Sequence, residues 1–342
     1  MYREKIEDLK KWKESSNRKP LIIRGARQVG KTWLMKEFGE KFYEKCAYIN
    51  FDDNVRMEKL FEEDFDINRI LQGLKIETGV NIEPDNTLII FDEVQENPKA
   101  LKALKYFYEN AKEYNIISAG SLLGVAIHEG TSFPVGKVDF LDLLPLNFFE
   151  FLDAIGKKDL LELLKSNDFD MINVFSTKYK EILKLYYYVG GMPEAVNSYA
   201  ENKDLSEVRK IQKRLLEAYE QDFSKHVPIN IVPRIRQLWN NIPTQLAKEN
   251  KKFIYGLVRK GARAREYEIA LSWLIDCGLI HQVNMVNNCK VPLSAYQDFS
   301  AFKLYLLDVG LLAAMAGLDE KTILEGNEIF EEFKGSLTKQ YV

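Results

Sequence analysis

Residues 20–36, PLIIRGARQVGKTWLMK, constrain this chain more than any other stretch. Leu21, Ile22 and Ile23 form a short apolar run that predicts a buried strand, and the residues after Thr32 have helical character. Between them Gly25, Ala26, Arg27, Gln28, Val29, Gly30, Lys31 and Thr32 match G-x-x-x-x-G-K-[ST] at every fixed position. The glycines let the backbone curl so that successive N–H groups point inward at phosphate oxygens, and the start of the next helix reinforces that field. Lys31 is expected to reach the β- and γ-phosphates and the Thr32 hydroxyl to ligate Mg²⁺. Trp33, in the first helical turn, completes the expected nucleotide-binding set. A glycine turn that only packs is the alternative, and it leaves the joint occurrence of strand, loop and helix unexplained.

A loop of this kind needs a sheet to carry it. Cys46 to Phe51, Thr87 to Phe91, Asn115 to Ala119 and Lys137 to Leu143 all read as strands. The run of Leu88, Ile89, Ile90 and Phe91 is continuously apolar, which suits a strand buried on both faces. Helical patterns lie between these runs, and Ile6, Leu9 and Trp12 mark another over residues 4–14. Strands alternating with helices predict an α/β fold with a parallel, doubly wound sheet, the P-loop NTPase architecture, over residues 1–148. Asp92 closes the third run, where the second carboxylate near a magnesium ion is needed. Glu93 follows, placed to polarise a water for in-line attack on the γ-phosphate. An acidic strand end that merely caps the next helix is the competing reading. Ser118 and Ser121 bracket the end of the fourth run, where a hydroxyl meets the attacking water or the γ-phosphate; a turn of small residues is the equal alternative. No Asn-Lys-x-Asp sequence is present to read guanine, which favours ATP over GTP.

From Phe148 the texture changes. Residues 148–188 are nearly all helical in pattern and should stop at Val189, Gly190, Gly191, Met192 and Pro193, a glycine cap followed by proline. Another helix is expected over 204–220, and a boundary near 222–233 at Pro228 and Pro233. Helical patterns over 234–249 and 265–277 precede two strand patterns, 279–286 and 302–307. The expected division is therefore a helical lid over 149–222, a winged-helix-like α+β domain over 223–317, and the start of a truncated segment over 318–342.

Composition narrows the partners. The 342-residue chain carries a net charge of −3, which excludes a wholly basic nucleic-acid coat protein but permits a local basic face. Residues 248–265 supply one, with Lys248, Lys251, Lys252, Arg259, Lys260, Arg263 and Arg265 against Glu249. Such a stretch either contacts DNA phosphates or is a solvated or inter-domain face. Cys46, Cys277 and Cys289 form no C-x-x-C pair, and His128, His226 and His281 share no metal spacing, so a reducing cytoplasm without a zinc site is expected. No apolar run reaches the roughly 18 residues a membrane span needs.

The motifs also carry a family resemblance. The Gly25-to-Thr32 loop, Ile90-Phe-Asp-Glu-Val94, Pro145-Leu-Asn-Phe148, Gly190-Gly-Met-Pro-Glu194, Asp222-Phe-Ser-Lys-His226, Ile242-Pro-Thr-Gln-Leu246, Phe302-Lys-Leu-Tyr305 and Asp308-Val-Gly-Leu-Leu312 resemble those of bacterial and archaeal AAA-type ATPases. In that family a P-loop core precedes a winged-helix-like domain of the DUF4143 type, and the signalling ATPases with numerous domains are relatives. The resemblance implies ATP and Mg²⁺ as cofactors and an approach of Gly191 and Pro193 to the nucleotide. It also implies a γ-phosphate contact from the position before the fifth strand, where the family has arginine and this chain has Lys137, a point charge rather than a planar fork. Relatives continue into a nuclease-like segment that this sequence does not reach.

Two functions follow as expectations: a Mg²⁺-dependent ATPase driving a conformational switch, or an ATP-loaded switch that binds DNA or a protein partner with negligible turnover. A small-molecule kinase fits less well, because adjacent Asp92 and Glu93 suit attack by water.

Overall fold

A computed structural model describes residues 2–121, 134–248, 252–326 and 328–342. The chain separates into two compact units, Arg3–Leu144 and, with Met1–Tyr2, Pro145–Val342.

The N-terminal unit is built on five parallel strands: β1 (Leu21–Arg24), β2 (Lys45–Asn50), β3 (Thr87–Asp92), β4 (Asn115–Gly120) and β5 (Asp139–Asp142). Their order across the sheet is β2-β3-β4-β1-β5. Every residue of β3 and β4 is buried, as interior parallel strands covered on both faces require, whereas β5 alternates as an edge strand does. Because β4 lies between β3 and β1, the tips of all three stand side by side, with Phe91 level with Ser118 and Arg24 level with Gly120. One core gathers Ile22, Ile49, Ile89, Ile116, Met57 and Leu104. At its centre Phe51, Phe61 and Phe91 meet edge-on at 5.3–5.9 Å, a geometry that adds about 0.5–1.5 kcal/mol per pair beyond burial. The helical stretch after β2 is two helices, Val55–Glu63 and Ile67–Thr78, separated where Asp66 caps the second by accepting from the Arg69 N–H. The fifth strand starts at Asp139, two residues later than its pattern suggests.

The C-terminal unit is mostly helical. Its longer helices are Ser176–Val189, Pro193–Asn202, Leu205–His226, Val232–Ala247 and Glu328–Tyr341. Helix Leu205–His226 extends six residues past its expected end at 220 and stops inside the boundary stretch 222–233. Pro233 opens the next helix rather than breaking it, since a first-turn proline lacks only an N–H that would have no helical partner. After helix Glu268–Asp276 comes an antiparallel pair, β6 (Ile280–Val286) and β7 (Gln297–Leu306), with a register shift at Asn284/Met285. β7 begins five residues before its expected start, on Gln297–Ala301, of which only Ala301 is buried, so the stretch carries no core alternation.

Candidate nucleotide-binding site

Residues 25–30 connect β1 to helix Lys31–Phe42 at the tip of the sheet. The loop turns through positive φ at Gly25 (152°), Gln28 (64°) and Gly30 (95°). Gly25 is there for closeness as well as conformation: a Cβ would stand 2.2 Å from the Leu143 carbonyl oxygen, on the chain leaving β5. Ala26 and Val29 are buried and anchor the loop, while Gln28 and Trp33 are exposed. Arg3, itself buried, donates to the carbonyls of Val29 (2.9 Å) and Leu144, bracing the loop from outside its motif.

Lys31 folds back over this cradle. Its ammonium donates to the carbonyls of Gly25 (2.9 Å) and Ala26 (2.7 Å). Burial pushes its pKa down to about 8, against the pull of Glu93 and Asp92 and with the push of Arg27. Thr32 Oγ1 donates to Asp92 Oδ2 at 2.7 Å, and the Tyr48 hydroxyl donates to the same oxygen at 2.9 Å. The Glu93 N–H donates to Asp92 Oδ1 at 3.1 Å, so the buried carboxylate is held at both oxygens. Glu93 itself sits at φ 50°, starting a short turn, Val94–Glu96. Its carboxylate accepts from Gln95 Nε2 (2.6 Å) and Ser121 Oγ (3.4 Å), and Ser121 Oγ accepts from Arg27 Nε (3.1 Å). One chain of polar contacts thus links the loop, the tip of β4 and the tip of β3.

Lys31, Thr32, Asp92, Glu93, Arg27 and Ser121 are therefore brought together. Ser118 lies one step lower, level with Ile22 and Phe91, its buried hydroxyl without a hydrogen-bond partner among the described residues. Lys137 is not brought to the site. It precedes β5, whose first residue is level with Leu21 at the far end of β1, and pairs with Glu109 at 3.1 Å beside the Tyr108 ring. The parallel register forces this correction, because a residue entering a parallel strand faces the sheet edge opposite the loop.

Gly191 and Pro193 belong to the C-terminal unit, where packing accounts for the glycine. A Cβ on Gly191 would fall 2.0 Å from the Leu146 carbonyl oxygen. Its N–H donates to the buried Asp308 carboxylate at 2.6 Å, and its carbonyl accepts from the Leu146 N–H at 2.7 Å. Pro193 opens helix Pro193–Asn202. In the basic stretch, Lys248, Lys252, Lys260, Arg263 and Arg265 are exposed and Arg259 pairs with Glu266 at 3.2 Å. Lys251, Glu249 and His128 lie outside the described residues.

Sequence reasoning missed Arg3, Tyr48 and Gln95. Tyr48 and Gln95 left a faint signal, a polar handle within a strand and an amide next to the acidic pair; Arg3 left none.

The donors present suit a magnesium triphosphate. Thr32 Oγ1 and Asp92 Oδ2 are hard oxygen ligands already side by side, and magnesium takes few protein ligands, completing its shell with phosphate and water. Among the described residues no group of three or more His, Cys, Asp or Glu is gathered for a metal, and no helix is long and apolar enough to cross a membrane.

Two sequence-family models match. Residues 180–322 match the family described as "Domain of unknown function (DUF8612)", where the resemblance had named the DUF4143 type. Residues 17–152 match the family described as "AAA domain". No curated protein matches. Solved structures similar to the chain include the Orc1 protein of Aeropyrum pernix in complex with DNA, 12% identical over 93% of each chain at a TM-score of 0.34. Cdc6p of Pyrobaculum aerophilum is 13% identical over 93% of this chain and 94% of its own, at 0.30. Likenesses that distant carry no argument here. The match to the AAA domain model coincides with the five-stranded parallel sheet whose tip bears the phosphate loop, an α/β sheet of the P-loop NTPase fold class.

Proposed function

We propose that the N-terminal unit binds ATP with Mg²⁺ and hydrolyses it, and that the bound nucleotide sets the conformation of the chain. One observation carries this reading: Thr32 and Asp92 meet at 2.7 Å beside a loop whose Lys31 ammonium is held over the cradle. The loop N–H groups and Lys31 take the phosphates, and Thr32 and Asp92 hold the metal, which supplies charge neutralisation when bound. Glu93 accepts the proton of the attacking water or orients it, with Ser121 and Arg27 behind it. The residues of the C-terminal unit, divided as a lid over 149–222 and a winged-helix-like part over 223–317, are assigned the response to the nucleotide.

Calorimetry and phosphate release test this together. Lys31→Ala should lose Mg-ATP binding, and Glu93→Gln should bind ATP without turning it over. Normal turnover by Glu93→Gln would remove the water-activating role.

The exposed Lys252, Lys260, Arg263 and Arg265, just ahead of helix Glu268–Asp276 and the β6–β7 hairpin, favour a second reading in which the ATP-loaded chain binds DNA with little turnover. Salt-sensitive association with duplex DNA in the presence of ATP would support it, and salt-independent absence of binding would remove it.

A further inference from the structure

Gln95 occupies a singular place in the polar chain at the sheet tips. It lies in the turn Val94–Glu96, pinned by Val94, which is fully buried in the core beneath it. On the far side, buried Asn97 caps helix Pro98–Asn110 by accepting from the N–H groups of Lys99 (3.1 Å) and Ala100 (2.9 Å). Gln95 therefore springs from backbone that is fixed before and behind it. Its amide Nε2 donates to Glu93 Oε2 at 2.6 Å and to Glu96 Oε1 at 3.3 Å. An ionised carboxylate only accepts, so two of them fix which way the amide faces: NH₂ toward the acids and carbonyl away. That carbonyl oxygen is buried and has no hydrogen-bond partner among the described residues. Buried amides that serve only packing normally satisfy both ends, so a half-satisfied one held against a working carboxylate calls for an explanation.

We infer that Gln95 is the positioning residue for Glu93. Its short hydrogen bond, with the weaker one from Ser121, selects the side-chain rotamer that presents Glu93 at the tip of β3, and the left-handed backbone at Glu93 (φ 50°) is the geometry that lets i and i+2 side chains meet. The orphan carbonyl is an acceptor lacking its donor, ready for one that arrives with the nucleotide. This inference rests on the hydrolytic reading of the site and names a residue for it outside the phosphate loop and the acidic pair.

The test is a double-mutant cycle on the full 342-residue chain. Gln95→Ala should lower kcat for ATP by about tenfold to a hundredfold, the worth of a hydrogen bond to a charged group expressed as a rate, with Mg-ATP affinity within about twofold of the parent. Gln95→Glu is nearly isosteric and replaces the donor with a second acid, so it should lose at least as much even if the alanine variant folds poorly. In a Glu93→Gln background, read from the slow residual hydrolysis at enzyme excess over long incubation, Gln95→Ala should cause no further loss, because its effect runs through Glu93. Full kcat in both Gln95 variants, a rise in kcat, or an undiminished effect in the Glu93→Gln background would each overturn the inference while leaving the hydrolytic reading standing. Absence of any turnover by the parent chain would overturn both.

Discussion

Lys31 gives the sharpest quantitative expectation. Its ammonium is buried, its pKa is about 8, and two loop carbonyls hold it in place. In the nucleotide-free protein it is about nine-tenths charged at pH 7 and about one-tenth charged at pH 9, as a pKa near 8 dictates. A bound triphosphate surrounds it with negative charge and should return it to the protonated form throughout that range. Binding must then recruit a proton: about 0.1 per site at pH 7 and about 0.9 at pH 9. The dissociation constant should accordingly rise about tenfold from pH 7 to pH 9, or about 1.4 kcal/mol. The terminal phosphate, with its last pKa at about 6, is already ionised over most of this window, so the slope belongs to the protein. Titration calorimetry at three pH values, each in two buffers of different ionisation heat, reads both the affinity and the proton count. Lys31→Arg keeps the charge without the titration, and its affinity should be flat. A parent affinity that is also flat, with no proton uptake at pH 9, would show that Lys31 does not exchange its carbonyl partners for phosphate.

Three further outcomes follow from the geometry. Gly25→Ala forces a Cβ to within 2.2 Å of a backbone oxygen at positive φ and should cost about 3 kcal/mol or more in urea melts; a loss under about 1 kcal/mol would mean the loop gives way easily. Tyr48→Phe removes one of two hydroxyls on Asp92 Oδ2 and should cost about 1–2 kcal/mol of stability, whereas Thr32→Ala should also weaken Mg²⁺-dependent nucleotide binding. Equal loss of Mg²⁺ dependence in both variants would refute that division. Asp308 is buried, and this raises its pKa to about 6 although the N–H groups of Gly191, Leu311 and Gly310 oppose the shift. An acid with a raised folded pKa helps most below its unfolded value and loses that help as pH climbs, so stability relative to Asp308→Asn should fall by about 2.4 kcal/mol between pH 4 and pH 7. A pH-independent difference would show that Asp308 titrates alike in the folded and unfolded chain, so that its burial costs its charged form nothing.

The N-terminal fold was legible because its signals are local. Thr87 to Asp92 announces a doubly covered strand through unbroken apolar content, and the phosphate loop announces the strand before it and the helix after it. What stayed hidden depends on lateral order. The placement of β4 between β3 and β1 decides that Ser121 joins Glu93, and the parallel register of β5 decides that Lys137 cannot. Neither fact is written in any window of sequence, since a crossover helix can set its strand down on either side. Gly191 shows a different limit. A glycine before a proline reads equally well as a ligand approach or a packing contact, and only the position of the Leu146 carbonyl accounts for it by packing. The hairpin was foreseen in kind and missed in length, because of its five outer residues only Ala301 is buried, which is too little to carry a period.

The guanidinium of Arg3 is a strut that the eight-residue motif does not encode. It ties the Val29 carbonyl to the chain beyond β5, and so sets how wide the cradle stands. Grafting the motif alone onto another sheet would transplant the mouth without its hinge pin. A leader fused tightly ahead of Arg3, or a trimmed start that deletes it, would slacken grip on a nucleotide while every fingerprint residue stayed intact.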